Sequence, residues 1–145
     1  MTTESQQPEP SAPKSGIVVP ARKLHTKTIE PILYLADRMA RSDKEVAASE
    51  RHTVDALAAK AGQKGFRTKA WFRDLDDDTA CQRLDIDAAK RGCLVVLTLV
   101  LKVDLKKRPE EHEYFHKLRV KLGADPIIVP VDLEEHRKLA DKYIG

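Results

Sequence analysis

Two pairs of acidic residues recur in this chain at the same spacing and could together bind a cation. Glu50 follows Asp43 at the same interval at which Glu111 follows Asp104. Hard divalent cations take several oxygen ligands, which carboxylates supply. Four carboxylates from two equivalent loops therefore predict a site for a divalent cation, with Ca²⁺, Mg²⁺, Mn²⁺ and Zn²⁺ as the candidates.

The same acidic residues have a second interpretation that needs no ligand. Glu50 and Glu111 fall in the first turns of predicted helices, where a glutamate can accept bonds from free backbone N–H groups and is favoured by the helix dipole. Asp43 and Asp104 fall in the preceding loops, where an aspartate can bond to loop amides. Helix capping is the simpler explanation of the spacing, and a metal site is the alternative to it.

A second pattern, His-Glu-x-x-His at residues 112–116, is typical of zinc hydrolases. On a helix, His112 and His116 lie one turn apart and can bind Zn²⁺ while Glu113 acts as a general base. On a helical wheel, however, the midpoint of the two histidines lies about 100° or more from the centre of the apolar face, so we expect them to face solvent. His136 is the downstream candidate for a third ligand. A zinc-dependent hydrolase is therefore the alternative function.

The elements that must position these residues are helices, because apolar residues recur at helical spacing and are bounded by helix start and stop residues. Pro109 suits a first helical position, Asp132 with Glu135 forms a capping box, and Gly62 and Gly123 suit helix ends. The predicted helices cover residues 28–41, 47–61, 68–75, 80–84, 85–103 and 109–123, with a last helix from 132 onward.

The most apolar run of the chain, residues 92–101, lies in the fifth predicted helix. It is about half the length that a bilayer crossing needs and is flanked by Arg91 and Lys102. Because its apolar residues go nearly all round the helix, we expect neighbouring helices to cover it. The sequence thus predicts an all-α bundle of about seven helices around one buried helix, and no direct membrane insertion.

Length and composition narrow the class of protein. The 145 residues suit one domain. The net charge is only +3 with 34% charged residues, and the sequence has no long basic stripe interleaved with aromatic residues. Nucleic acid is therefore not an expected partner. The basic cluster Lys106–Arg108 is interpreted as a solvated face. Cys81 and Cys93 form no CxxC motif and no disulfide framework, which favours a reducing, cytoplasmic location.

The N-terminal residues 1–22 contain four prolines and many polar residues, and we predict a disordered tail there. The tail lacks the apolar core of a signal peptide. The remaining residues, 23–145, are predicted to form the folded domain.

The coincidence of three positions suggests an internal repeat. Asp43, Glu50 and Gly62 recur as Asp104, Glu111 and Gly123, all displaced by one common offset along the chain, which predicts two pseudo-symmetric helical hairpins. The segment Leu35–Ala40 with the first acidic set, and the apolar helix with the second, resemble the two halves of the TerB family of tellurite-resistance domains. The resemblance covers roughly residues 28–143.

The resemblance to TerB implies a specific kind of function. It implies an all-α bacterial stress-response domain that binds metal through the acidic loop positions and takes part in membrane-linked complexes, and it implies no catalysis. We therefore expect a non-enzymatic scaffold that binds a protein partner and a divalent cation. The expected ligands are Asp43, Glu50, Asp104 and Glu111.

Overall fold

The computed structural model describes residues 21–42, 47–104 and 108–145, and these residues form an all-α fold with no strand. The prediction that the fold is all-α is confirmed for this part of the chain. Asp43 and residues 1–20 of the predicted tail lie outside the described residues. The described residues contain seven helices, namely α1 (Thr26–Ala40), α2 (Ala48–Lys60), α3 (Ala70–Asp74), α4 (Asp77–Gln82), α5 (Asp87–Val103), α6 (Pro109–Leu122) and α7 (Leu133–Ile144).

Local capping chemistry fixes several helix ends. The Asp76 carboxylate accepts a hydrogen bond from the N–H of Thr79, and α4 consequently begins at Asp77, three residues before its predicted start. The Asp132 carboxylate likewise accepts a bond from the Glu135 N–H at the start of α7. The Glu135 side chain contacts Lys138.

The predicted helix over residues 68–75 is shorter than expected and follows a separate 3₁₀ turn, Phe66–Thr68. Lys69 has extended backbone angles between the two, so the helix breaks there. Phe66 is 1% exposed, and its ring stacks on Trp71 and meets Phe72 edge-on. The rings of Trp71 and Phe72 also contact each other edge-on. This aromatic cluster closes one side of the core.

Helix α5 is the centre of the bundle. It packs against α1, α2, α6 and α7, and ten of its seventeen residues are buried. Those neighbours cover the apolar residues that the sequence places nearly all round the helix, as predicted. No helix among the described residues combines the length and hydropathy that a bilayer crossing needs.

Gly92 allows Leu24 and Tyr143 to approach α5 closely. A Cβ atom at this position would lie 2.9 Å from Leu24 Cδ1 and 2.9 Å from Tyr143 Cδ1. The Leu24 N–H donates a 2.8 Å hydrogen bond to the Tyr143 carbonyl, which ties the start of the described chain to α7. A residue without a side chain is therefore needed where α7 and the N-terminal segment meet α5.

Candidate metal centre

Helices α2 and α6 hold the two glutamates in equivalent positions. The helices begin at Ala48 and Pro109, which are separated by the same offset as the acidic pairs, and Glu50 and Glu111 lie in their first turns. Soon after each helix, a glycine with positive φ (Gly62 at 74° and Gly123 at 66°) turns the chain. The spacing of the repeat is thus matched by equivalent local backbone in both helices.

The described acidic residues of the repeat converge on one place. Glu50, Asp104 and Glu111 each offer an oxygen, and these oxygens all lie within 4.8 Å of one another. Glu50 is fully buried and Glu111 is 1% exposed, while the Asp104 side chain is 7% exposed. Three of the four predicted ligands therefore come together. The fourth, Asp43, lies outside the described residues.

No other such cluster appears in the described residues, since no further group of three or more His, Cys, Asp or Glu side chains comes this close together. Cys81 and Cys93 are free thiols and both are buried. Burial raises the pKa of the Cys81 thiol to about 11 and raises that of Cys93 further, so both are protonated at neutral pH.

The Glu50 carboxyl group is the most unusual member of the cluster. Neither of its buried oxygens accepts a hydrogen bond from an N–H or hydroxyl group, and the side chain that comes close enough to share a proton with it is Glu111. The N–H of its helix N-cap, Ala47, is close enough to lower its pKa without making such a bond. Helix capping therefore explains the burial of Glu50 less well than its position in the first turn of α2 suggests.

The electrostatics of the cluster disfavour a full set of negative charges. Burial raises the pKa of Glu50, and the charge of Asp104 raises it further, whereas the Glu111 carboxyl group and the Arg108 guanidinium oppose the rise. Because three carboxylates at this separation repel one another, a proton or a cation among them stabilises the arrangement.

Arg108 belongs to this site, contrary to its interpretation as part of a solvated basic face. Its side chain is only 11% exposed, and its Nε–H donates to the carboxylate of Asp104. Lys106 and Lys107 lie outside the described residues. Asp104 directly follows α5 and Arg108 directly precedes α6, and the buried Asp104 carboxylate attracts the guanidinium inward.

The His-Glu-x-x-His motif lies on the outer surface of α6, where His112, Glu113 and His116 are all exposed. No third metal-ligating side chain among the described residues joins the two histidines. His136 is instead fully buried in α7, with its Nε2 3.0 Å from the Val95 carbonyl oxygen. The structure thus brings the acidic residues together and leaves the histidines of the motif apart from His136.

Comparison with known proteins gives no relative: no protein-family model matches this chain, and no curated protein and no solved structure is significantly similar to it.

Proposed function

We propose that this chain is a non-enzymatic, TerB-like module that binds a divalent cation between the first turns of α2 and α6 and serves as a scaffold for a protein partner. A single observation carries the proposal. Three carboxyl groups lie within 4.8 Å of one another, and the two oxygens of the fully buried Glu50 accept no hydrogen bond from an N–H or hydroxyl group. A buried carboxylate in that state is costly unless a cation or a proton accompanies it.

The donor set suits a hard cation. All the ligand atoms are carboxylate oxygens, which favour Ca²⁺, Mg²⁺ or Mn²⁺ over softer metals. Oxygens on opposite sides of a bound Ca²⁺ are about 4.6–5.2 Å apart, and the oxygens of Glu50, Asp104 and Glu111 already lie within 4.8 Å. In this proposal these three residues hold the cation and Asp43 supplies the fourth carboxylate.

The resemblance to TerB gains support from the arrangement of the helices. Helices α1 and α2 pack together, as do α5 and α6, and α1 also packs on α5. The equivalent starts of α2 and α6 and the matching glycines Gly62 and Gly123 agree with two related hairpins. We propose on these grounds that the bundle is built from a duplicated hairpin.

Isothermal titration calorimetry and thermal unfolding test the cation site. We expect saturable binding of Ca²⁺, Mg²⁺ or Mn²⁺ and a higher melting temperature, because a ligand that binds only the folded state stabilises it. The variant Asp43→Ala with Asp104→Ala should lose both effects. The matched control, His112→Ala with His116→Ala, should keep them. Absence of heat and of any change in melting temperature in the wild-type protein would remove the cation from the proposal.

The scaffold part of the proposal depends on the resemblance to TerB. It predicts that the partner is a protein, with a membrane-linked complex as one setting, and that the role is in stress or tellurite resistance. The site offers a physical link between the cation and the partner. A cation held by both Glu50 and Glu111 would join the first turns of α2 and α6, and a partner bound there would respond to it. The proposal assigns no catalytic residue, and the zinc hydrolase stays an alternative prediction tested by zinc content.

A further inference from the structure

Arg108 occupies a position at the acidic cluster that is unusual for its residue type. It is the residue immediately before α6, and its side chain is only 11% exposed. Arginine is seldom buried to this extent, and almost never without a partner of opposite charge. Its Nε–H donates to the Asp104 carboxylate, which is one of the three converging carboxyl groups. The guanidinium is therefore held inside the site that the proposed function assigns to a divalent cation.

The charges of the site explain why a guanidinium is stable there. Glu50, Asp104 and Glu111 together carry three negative charges when ionised, and Arg108 offsets one of them. A cation placed among the carboxylates, however, would lie a few ångströms from the guanidinium, and in a partly buried site such repulsion is weakly screened.

We propose that Arg108 is a built-in counter-ion of the acidic site, which a divalent cation must displace from Asp104 in order to bind. The inference rests on the proposed function, because it describes how that site is regulated. In the cation-free protein the guanidinium neutralises part of the cluster, and in the cation-bound protein Asp104 exchanges it for the metal. Arg108 thereby lowers the affinity for cations. Because Arg108 is the N-cap residue of α6, cation binding also changes the contacts at the start of that helix.

The affinity for Ca²⁺ and Mn²⁺ tests this inference. Arg108→Gln removes the competing charge, and we expect it to bind Ca²⁺ and Mn²⁺ about 5- to 150-fold more tightly than wild type, the range typical of coupling between two ligands. Arg108→Lys keeps a positive charge and should bind as weakly as wild type, within about threefold. Lys117→Gln is the matched control, because it removes one positive charge from an exposed position on the same helix.

A second measurement uses the wild-type protein and does not depend on a variant folding. The Nε–H of Arg108 can be followed by NMR, and its exchange with water should accelerate when Ca²⁺ saturates the site, because the bond to Asp104 is then broken. Exchange that stays the same at saturating Ca²⁺ would overturn the inference.

The outcomes separate this inference from the proposed function. If wild type and Arg108→Gln bind Ca²⁺ with the same affinity, the counter-ion role is wrong and the cation site stands. If only Arg108→Gln binds, the counter-ion role is supported and the wild-type cation function is wrong. If neither binds Ca²⁺ or Mn²⁺, both the proposed function and this inference are wrong.

Discussion

Glu50 and Glu111, which belong to different helices and lie far apart in the sequence, place carboxyl oxygens within 4.8 Å of each other in the interior of the bundle. Each glutamate by itself is an ordinary first-turn residue of its helix. Together, beside Asp104, they form a buried group of like charges whose repulsion opposes folding except where a proton, a cation or the Arg108 guanidinium offsets it. Arrangements of this kind are kept where function requires them, at a cost in stability.

The first prediction concerns the stability of the cation-free protein. Glu50→Gln removes one of the like charges while preserving the shape of the side chain, so we expect the free energy of unfolding in EDTA to rise by about 1 kcal/mol or more. Urea unfolding in EDTA measures the change. The same variant should show a smaller increase in melting temperature than wild type when Ca²⁺ is added.

Glu113→Gln provides the control for this experiment. Glu113 is exposed on α6, outside the cluster, and its substitution should change the free energy of unfolding by less than about 0.5 kcal/mol. A lower free energy of unfolding for Glu50→Gln than for wild type in EDTA would contradict the view that the ionised Glu50 carboxylate destabilises the fold.

The second prediction concerns pH and His136. Burial lowers the pKa of His136 and the charge of Lys102 lowers it further, while the hydrogen bond to Val95 opposes the shift. A histidine with a lowered pKa in the folded state is protonated more readily when unfolded. Its contribution to stability is therefore complete above the unfolded pKa of about 6.5 and declines as the pH falls below it, by at most about 1.4 kcal/mol per pH unit.

Urea unfolding at pH 7.5 and pH 5.5 measures this dependence. His136→Gln can still donate to the Val95 carbonyl but does not titrate, so the difference in stability between the two pH values should shrink. His52→Gln is the control, because His52 is exposed and should leave the difference as in wild type. An unchanged pH dependence in His136→Gln would show that other groups cause it.

The third prediction concerns the contact at Gly92. Alanine is a better helix former than glycine by about 1 kcal/mol, but its Cβ would lie 2.9 Å from the ring of Tyr143. We expect overpacking to dominate and Gly92→Ala to destabilise the protein by about 1–3 kcal/mol. Thermal or urea unfolding would show it, and the loss should be smaller when Tyr143→Leu is already present. A more stable Gly92→Ala variant would contradict the observed packing of α7 on α5.

The fourth prediction addresses the zinc hydrolase alternative. Because His112 and His116 are exposed on α6, the variant His112→Ala with His116→Ala should unfold within about 0.5 kcal/mol of wild type. We expect purified protein to contain less than one zinc per chain, as measured by elemental analysis. Stoichiometric zinc that the double variant loses would favour the hydrolase over the scaffold.

Much of the fold could be predicted from the sequence because its signals are local. Asp76, Pro109 and Asp132 define helix starts through backbone chemistry within a few residues, and Gly123 ends α6 with a positive φ. The apolar run of α5 predicted its central place. The break at Lys69 was missed, because a short helix has few periodic residues and is decided by the packing of its aromatic neighbours.

The identity, spacing and helical setting of the acidic residues follow from the amino-acid sequence alone. Their meeting at one place, the inward turn of Arg108 to Asp104 and the burial of His136 away from the motif at 112–116 follow from how the helices pack. The reason is that spacing along a helix fixes which face a side chain occupies, whereas its surroundings depend on which other helix that face packs against. Charges that lie on separate helices, far apart along the chain, interact only after that packing is complete.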